Sequence, residues 1–100
     1  MENQHRKITG YRELSQEEID LMNRIKAKDN ELMALHAELL VRLNSDLGEK
    51  GQARGLNAET TAEFERFIEA DPIRWAAIGK TNIQTGIMAL VRAVAQPTGV

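Results

Sequence analysis

A helix start at Ser15, followed by apolar residues at steps of three and four for nearly thirty positions, constrains this 100-residue chain more than any other feature. Ser15, Gln16, Glu17 and Glu18 have the S-x-x-E form of a capping box, and Leu14 stands where a hydrophobic staple would sit. Beyond it Leu21, Ile25, Leu32, Leu35 and Leu39 form a seam that Lys28 interrupts, and Ile19, Met22, Met33, Leu40 and Leu43 widen the apolar face. A helix from here to about Ser45 is roughly 45 Å long. A compact domain of this size has a radius of gyration near 13 Å, so the helix is predicted to overhang a monomer and to be covered by self-association.

Residues 46–57, DLGEKGQARGLN, carry three glycines and several charges and read as a linker. Asn57 then caps a short helix, AETTAEFERFIEA, whose apolar face is Ala62, Phe64, Phe67 and Ile68. Asp71 followed by Pro72 is a third start, predicting a helix from Pro72 to about Gln96, where Pro97 ends it. Within it Ala76, Gly79, Ile83, Gly86, Leu90 and Ala93 line up on one stripe. Glycine costs a helix interior about 1 kcal/mol against alanine, so two on one stripe predict close backbone approach by a neighbouring helix or a ligand. The expected fold class is all-α, two long helices with a short one between them, in a single domain over residues 1–100.

Thirteen Lys and Arg against 15 Asp and Glu give a formal charge of −2, which argues against broad nucleic-acid binding by phosphate neutralisation. A small anionic ligand needs only a few local cations. With no Cys and two His, disulfides and thiolate sites are excluded and a structural metal or other cofactor is not expected. No apolar run approaches the roughly 20 residues that span a bilayer, and MENQHRKITG lacks the apolar core of a signal peptide, so a cytosolic protein is expected.

Gly79, Lys80 and Thr81 spell the end of a P-loop, but Arg74 stands where its first glycine belongs and the preceding residues read as helix, which argues against a nucleoside triphosphatase. Tyr11 lies among His5, Arg6, Lys7 and Arg12, a setting in which a base could stack and phosphates meet cations; packing on the helix start is the competing reading. Lys26 sits two turns beyond Ile19, where a snorkelling surface lysine is the commoner reading. His36 reads as a residue of the helix surface or a subunit seam, without a base or nucleophile partner. Glu17, Glu18 and Asp20 are explained by the helix dipole, and no acid and base pair, metal spacing or activated nucleophile assembles from local motifs.

Two blocks, GYRELSQEEIDLMNRIK and RWAAIGKTNIQTGIMALVRAVAQP, resemble the phage-encoded anti-CBASS family of cyclic-oligonucleotide sponges over about half the chain. Residues 44–70 fall outside both blocks. The resemblance implies a helical protein assembled as a hexamer, which binds cyclic dinucleotides such as cyclic GMP-AMP between paired protomers. It implies separate pockets for cyclic trinucleotides such as cyclic tri-AMP where three protomers meet. Both messengers would be held uncleaved in the cytoplasm of the infected bacterial host, leaving antiphage effectors unactivated. Carried over to this sequence, the resemblance makes Tyr11 the aromatic that stacks on a dinucleotide base and Lys26 the cation at its phosphate, with Arg12 beside them. For the trinucleotide it implies Arg74, Lys80, Thr81, Asn82, Gln84 and Gly86. A helical scaffold that binds a protein partner is the alternative from another class.

Overall fold

The computed structural model describes residues 12–98, and among them every regular element is helical: α1 (Gln16–Ala53), α2 (Ala58–Ala70) and α3 (Pro72–Ala95). The all-α expectation holds, with two long helices and a short one between. None of the three is long and apolar enough to cross a membrane.

Each helix begins where the sequence places a cap. The Glu18 backbone N–H donates to Ser15 Oγ at 3.2 Å, and the Ser15 N–H donates to Glu18 Oε1 at 2.9 Å, which closes the capping box. Leu14 and Ile19, the two positions of the staple, are both half-buried. At α2 the Thr60 N–H donates to Asn57 Oδ1 at 2.8 Å while the Asn57 N–H donates to Thr60 Oγ1 at 3.1 Å. Asp71 serves two helices. With φ of 53° it ends α2 in the left-handed region, and its carbonyl accepts from Trp75 N–H at 3.2 Å to open α3.

The predicted linker is mostly helix, since α1 runs on through residues 46–53 and leaves only residues 54–57 as connection. Gly48 and Gly51 are absorbed at a cost of about 1 kcal/mol each, and α2 offsets it. A Cβ at Gly51 would lie 3.7 Å from Phe64 Cε1, so the missing side chain brings the ring close to the helix. Lys50 pairs with Glu63 at 3.1 Å and sits 5.9 Å from the Phe67 ring centre, while the Arg54 guanidinium lies 4.9 Å from that of Phe64. The chain turns at Gly55, whose φ of 89° suits glycine.

The chain forms two compact units, one of residues up to Glu31 with those from Ile83 on, the other of Leu32–Asn82. In the second, α1 buries one side of Met33, His36, Leu40, Leu43 and Leu47, and α2 and α3 supply the buried Phe67 and Ala76. In the first, half-buried Met22, Ile25 and Asp29 of α1 share the interior with Ile83, Ile87, Val91 and Val94 of α3. Both helix stripes hold in part: Ile25 on α1 and Ala76, Gly79 and Ile83 on α3 turn inward as expected. Leu21, Leu32, Leu35 and Leu39 are 41–59 % exposed, so the inward side of α1 is formed by Ile25 and by the flanking residues of the predicted face, Ile19, Met22, Met33, Leu40 and Leu43. On α3 the predicted Gly86, Leu90 and Ala93 face out, because Ile87, Val91 and Val94 remove more apolar surface from water. His36, expected at the surface or a subunit seam, is half-buried with Nε2 2.9 Å from the Ala76 carbonyl.

Phe67, 5 % exposed, anchors α2. Phe67→Ala should lower the unfolding free energy by about 3–5 kcal/mol in chemical denaturation followed by Trp75 fluorescence. A loss below about 1 kcal/mol would contradict this core.

Candidate functional site: a cationic groove between α1 and α3

Within the first unit α1 and α3 run antiparallel, so that Arg12 meets Val94 and Ile25 shares a groove with Ile87. On one side of this pair a groove of about 610 Å³ opens. Lys26, Asp29 and Asn30 of α1 line it, being three and four apart and hence on one helix face. Ile87, Met88, Val91, Arg92 and Ala95 of α3, with Pro97, complete the lining. Apolar surface thus lies between two cations and one carboxylate. A planar base covers the first kind of surface and a phosphate meets the second, and the volume is that of a small-molecule site. On the opposite side Leu21, Ile25, Ile87 and Leu90 form a smaller apolar trough flanked by Arg24 and Lys28.

Arg12 holds the chain before α1 against the end of α3. Its guanidinium donates to both Glu18 carboxylate oxygens, at 3.2 and 2.5 Å, and to the Val94 carbonyl at 2.8 Å. These bonds, with the Ser15 backbone N–H, pull the Glu18 carboxyl down to about 2 and raise the already high Arg12 pKa. A brace therefore stands one residue from Tyr11, which itself lies outside the described residues. Lys26 lines the groove and is exposed.

The residues expected at a trinucleotide are dispersed. Arg74 donates from Nε to Asp71 Oδ2 at 2.8 Å and stacks 5.0 Å from the centre of the Trp75 ring. Thr81, two turns on and on the same face, donates to the Ala77 carbonyl at 3.2 Å. Lys80 and Asn82 are exposed in the same unit, whereas Gln84 and Gly86 are exposed in the other. Among the described residues a Cβ at Gly79 or Gly86 would meet nothing within 4 Å, so no helix described here explains either glycine. Among the described residues no three potential metal ligands cluster. Gly79-Lys80-Thr81 lies inside α3, without the preceding strand that a phosphate loop requires.

Sequence reasoning missed Asp29, Asn30, Met88 and Arg92. A signal was present, since Asp29 and Asn30 share a helix face with Lys26, but only the partner helix shows which face is a groove.

Fold and groove together define a small helical-hairpin protein with a cationic crevice between its long helices. Comparison supplies the family: residues 3–95 match the Acb2/Tad1 hairpin domain, and the chain belongs to that family. It is 55% identical over 107 aligned positions to anti-CBASS protein 2 of Pseudomonas phage JBD67, with 99% of each chain covered. The alignment thus runs through residues 44–70, which the two matching blocks leave aside.

Because the Glu18 pKa is depressed, the brace contributes stability above the ordinary carboxylate range and loses it as pH falls towards 2. In a carbon-detected NMR titration Glu18 should titrate near 2 in the intact protein and move up towards 4.5 in Arg12→Ala. A Glu18 midpoint near 4.5 in the unmodified chain would contradict the brace.

Proposed function

We propose that this chain is a phage immune-evasion protein that binds cyclic dinucleotide and cyclic trinucleotide messengers and holds them uncleaved in the cytoplasm of the infected bacterial host. The observation that carries this reading is the match along the whole chain to a protein named for anti-CBASS activity. The groove at Lys26 supports it with the chemistry a nucleotide needs, a cation beside apolar surface.

In this reading Lys26 meets a phosphate, Tyr11 stacks on a base, and Arg12 positions the segment that carries Tyr11. A cyclic dinucleotide has two bases and two phosphates in near two-fold symmetry. Two copies of one Tyr and one Lys across an isologous dimer match that symmetry. The outward leucines of α1 (Leu21, Leu32, Leu35 and Leu39) support self-association, and a hexamer is the assembly proposed. The trinucleotide pocket belongs to Arg74, Lys80, Thr81, Asn82, Gln84 and Gly86, with three Arg74 guanidinium groups around a three-fold axis facing three phosphates.

Sequestration is a mass-action mechanism. The protein has to keep free messenger below the dissociation constant of the effector. A base stack contributes about 1–3 kcal/mol and a charged hydrogen bond a similar amount, so two of each support nanomolar affinity. Protein loaded with cyclic GMP-AMP or cyclic tri-AMP, freed of excess ligand and denatured, should release each messenger intact. Linear products would make it an enzyme, and no recovered ligand would leave a scaffold for a protein partner. Tyr11→Ala and Lys26→Ala should each weaken cyclic dinucleotide binding by roughly ten- to hundredfold in calorimetry while the assembly persists.

A further inference from the structure

The apolar trough on the side of the α1 and α3 pair away from Lys26 has a volume of about 270 Å³ and is lined by Leu21, Ile25, Ile87 and Leu90, with Arg24 and Lys28 of α1 beside them. Leu21 and Leu90 each keep about half of their surface in water. Arg24 makes no ion pair among the described residues, and Lys28 makes one loose contact, to Glu31 at 3.7 Å. The second unit carries the opposite pattern on α2. Its inner side is taken up by Phe64 and Phe67, which leaves Ile68 about half exposed. Glu65 and Glu69 flank Ile68 in the helix, both exposed and without an ion-pair partner among the described residues, whereas Lys50 and Arg66 hold Glu63. Side chains four residues apart on any helix stand about 5–6 Å apart, so the two carboxylates have the same spacing as the two cations.

We infer that the trough of one protomer receives α2 of a second copy, with Ile68 against the apolar lining and the Glu65 and Glu69 row against the Arg24 and Lys28 row. This rests on the assembly in the proposed function and deepens it. A basic edge and an acidic ridge of equal spacing on one chain favour a second copy as the occupant, and the charge rows fix the register in which Ile68 enters. An exposed pair such as Lys28 with Glu31 contributes little, so it does not withhold Lys28 from this partner. The two sides of the contact are different surfaces, which makes it heterologous, and a heterologous contact closes into a ring when its rotation allows. A trinucleotide site with three copies of Arg74 about one axis needs a contact of this kind, while the dinucleotide site needs an isologous one. A hexamer with both sites uses both contacts, and α2 supplies the three-fold one.

The test is charge reversal on each side and on both, in the full chain, with assembly mass measured by native mass spectrometry and helix content by circular dichroism. The unmodified protein should be a hexamer. Glu65→Lys with Glu69→Lys should reduce it to a dimer held by the two-fold contact, and Arg24→Glu with Lys28→Glu should do the same, each with helix content unchanged. The four substitutions together should restore the hexamer, a rescue that a folding defect cannot produce. A hexamer that persists in either reversal, an unmodified chain no larger than a dimer, or failure of the fourfold variant to reassemble would overturn the contact. Calorimetry with cyclic GMP-AMP separates this from the functional reading. The Glu65→Lys, Glu69→Lys dimer should keep its affinity for the dinucleotide within about threefold, a result that also places the α2 contact apart from the two-fold site. Failure of the unmodified hexamer to bind any cyclic dinucleotide or trinucleotide would overturn the sequestration reading, whatever the reversals do to its mass.

Discussion

The contact on which this structure depends is the antiparallel packing of α1 against α3, and it is thin. Within the first unit, among the described residues, α1 and α3 bury one another only by half. In the second unit α2 adds a third layer, and there Phe67 and Ala76 become buried. This 100-residue chain divides its apolar surface between an inward stripe and an outward one. The proposed function draws on surface that this division leaves available, including a groove on one side of the pair and leucines along α1.

Polar interactions compensate where burial is scarce. Arg12 reaches a carbonyl at the end of α3, His36 reaches one near its start, and Lys50 with Arg54 covers the aromatic rings of α2. Each joins segments far apart in sequence, and each fixes geometry that non-directional apolar contact leaves loose. Arg12 ties the chain just before α1 to the end of α3.

Much of the fold was legible in the sequence because caps are local. Ser15 with Glu18, Asn57, and Asp71 before Pro72 each mark a helix start through hydrogen bonds within four residues. The end of α1 was not legible, because Gly48 and Gly51 read as breakers until Phe64 of α2 covers one of them. The centre of the inward face was misplaced on α1 and in the second half of α3 for a related reason. On α1 both Leu21–Leu39 and Met22–Leu40 satisfy helical spacing, and only a partner decides between them. The candidate site was legible at Lys26, through resemblance, but Asp29 was invisible because a carboxylate on an apolar stripe carries no motif.

The central claim is that this small helical chain holds a whole cyclic oligonucleotide through symmetry-related copies of a few residues. Native mass spectrometry of the assembled protein titrated with cyclic GMP-AMP tests it most directly. The account predicts an oligomer of even subunit number that gains the mass of uncleaved ligand, saturating at one cyclic dinucleotide per two protomers. An assembly that gains no ligand mass, or that saturates with one ligand on every isolated protomer, would contradict it.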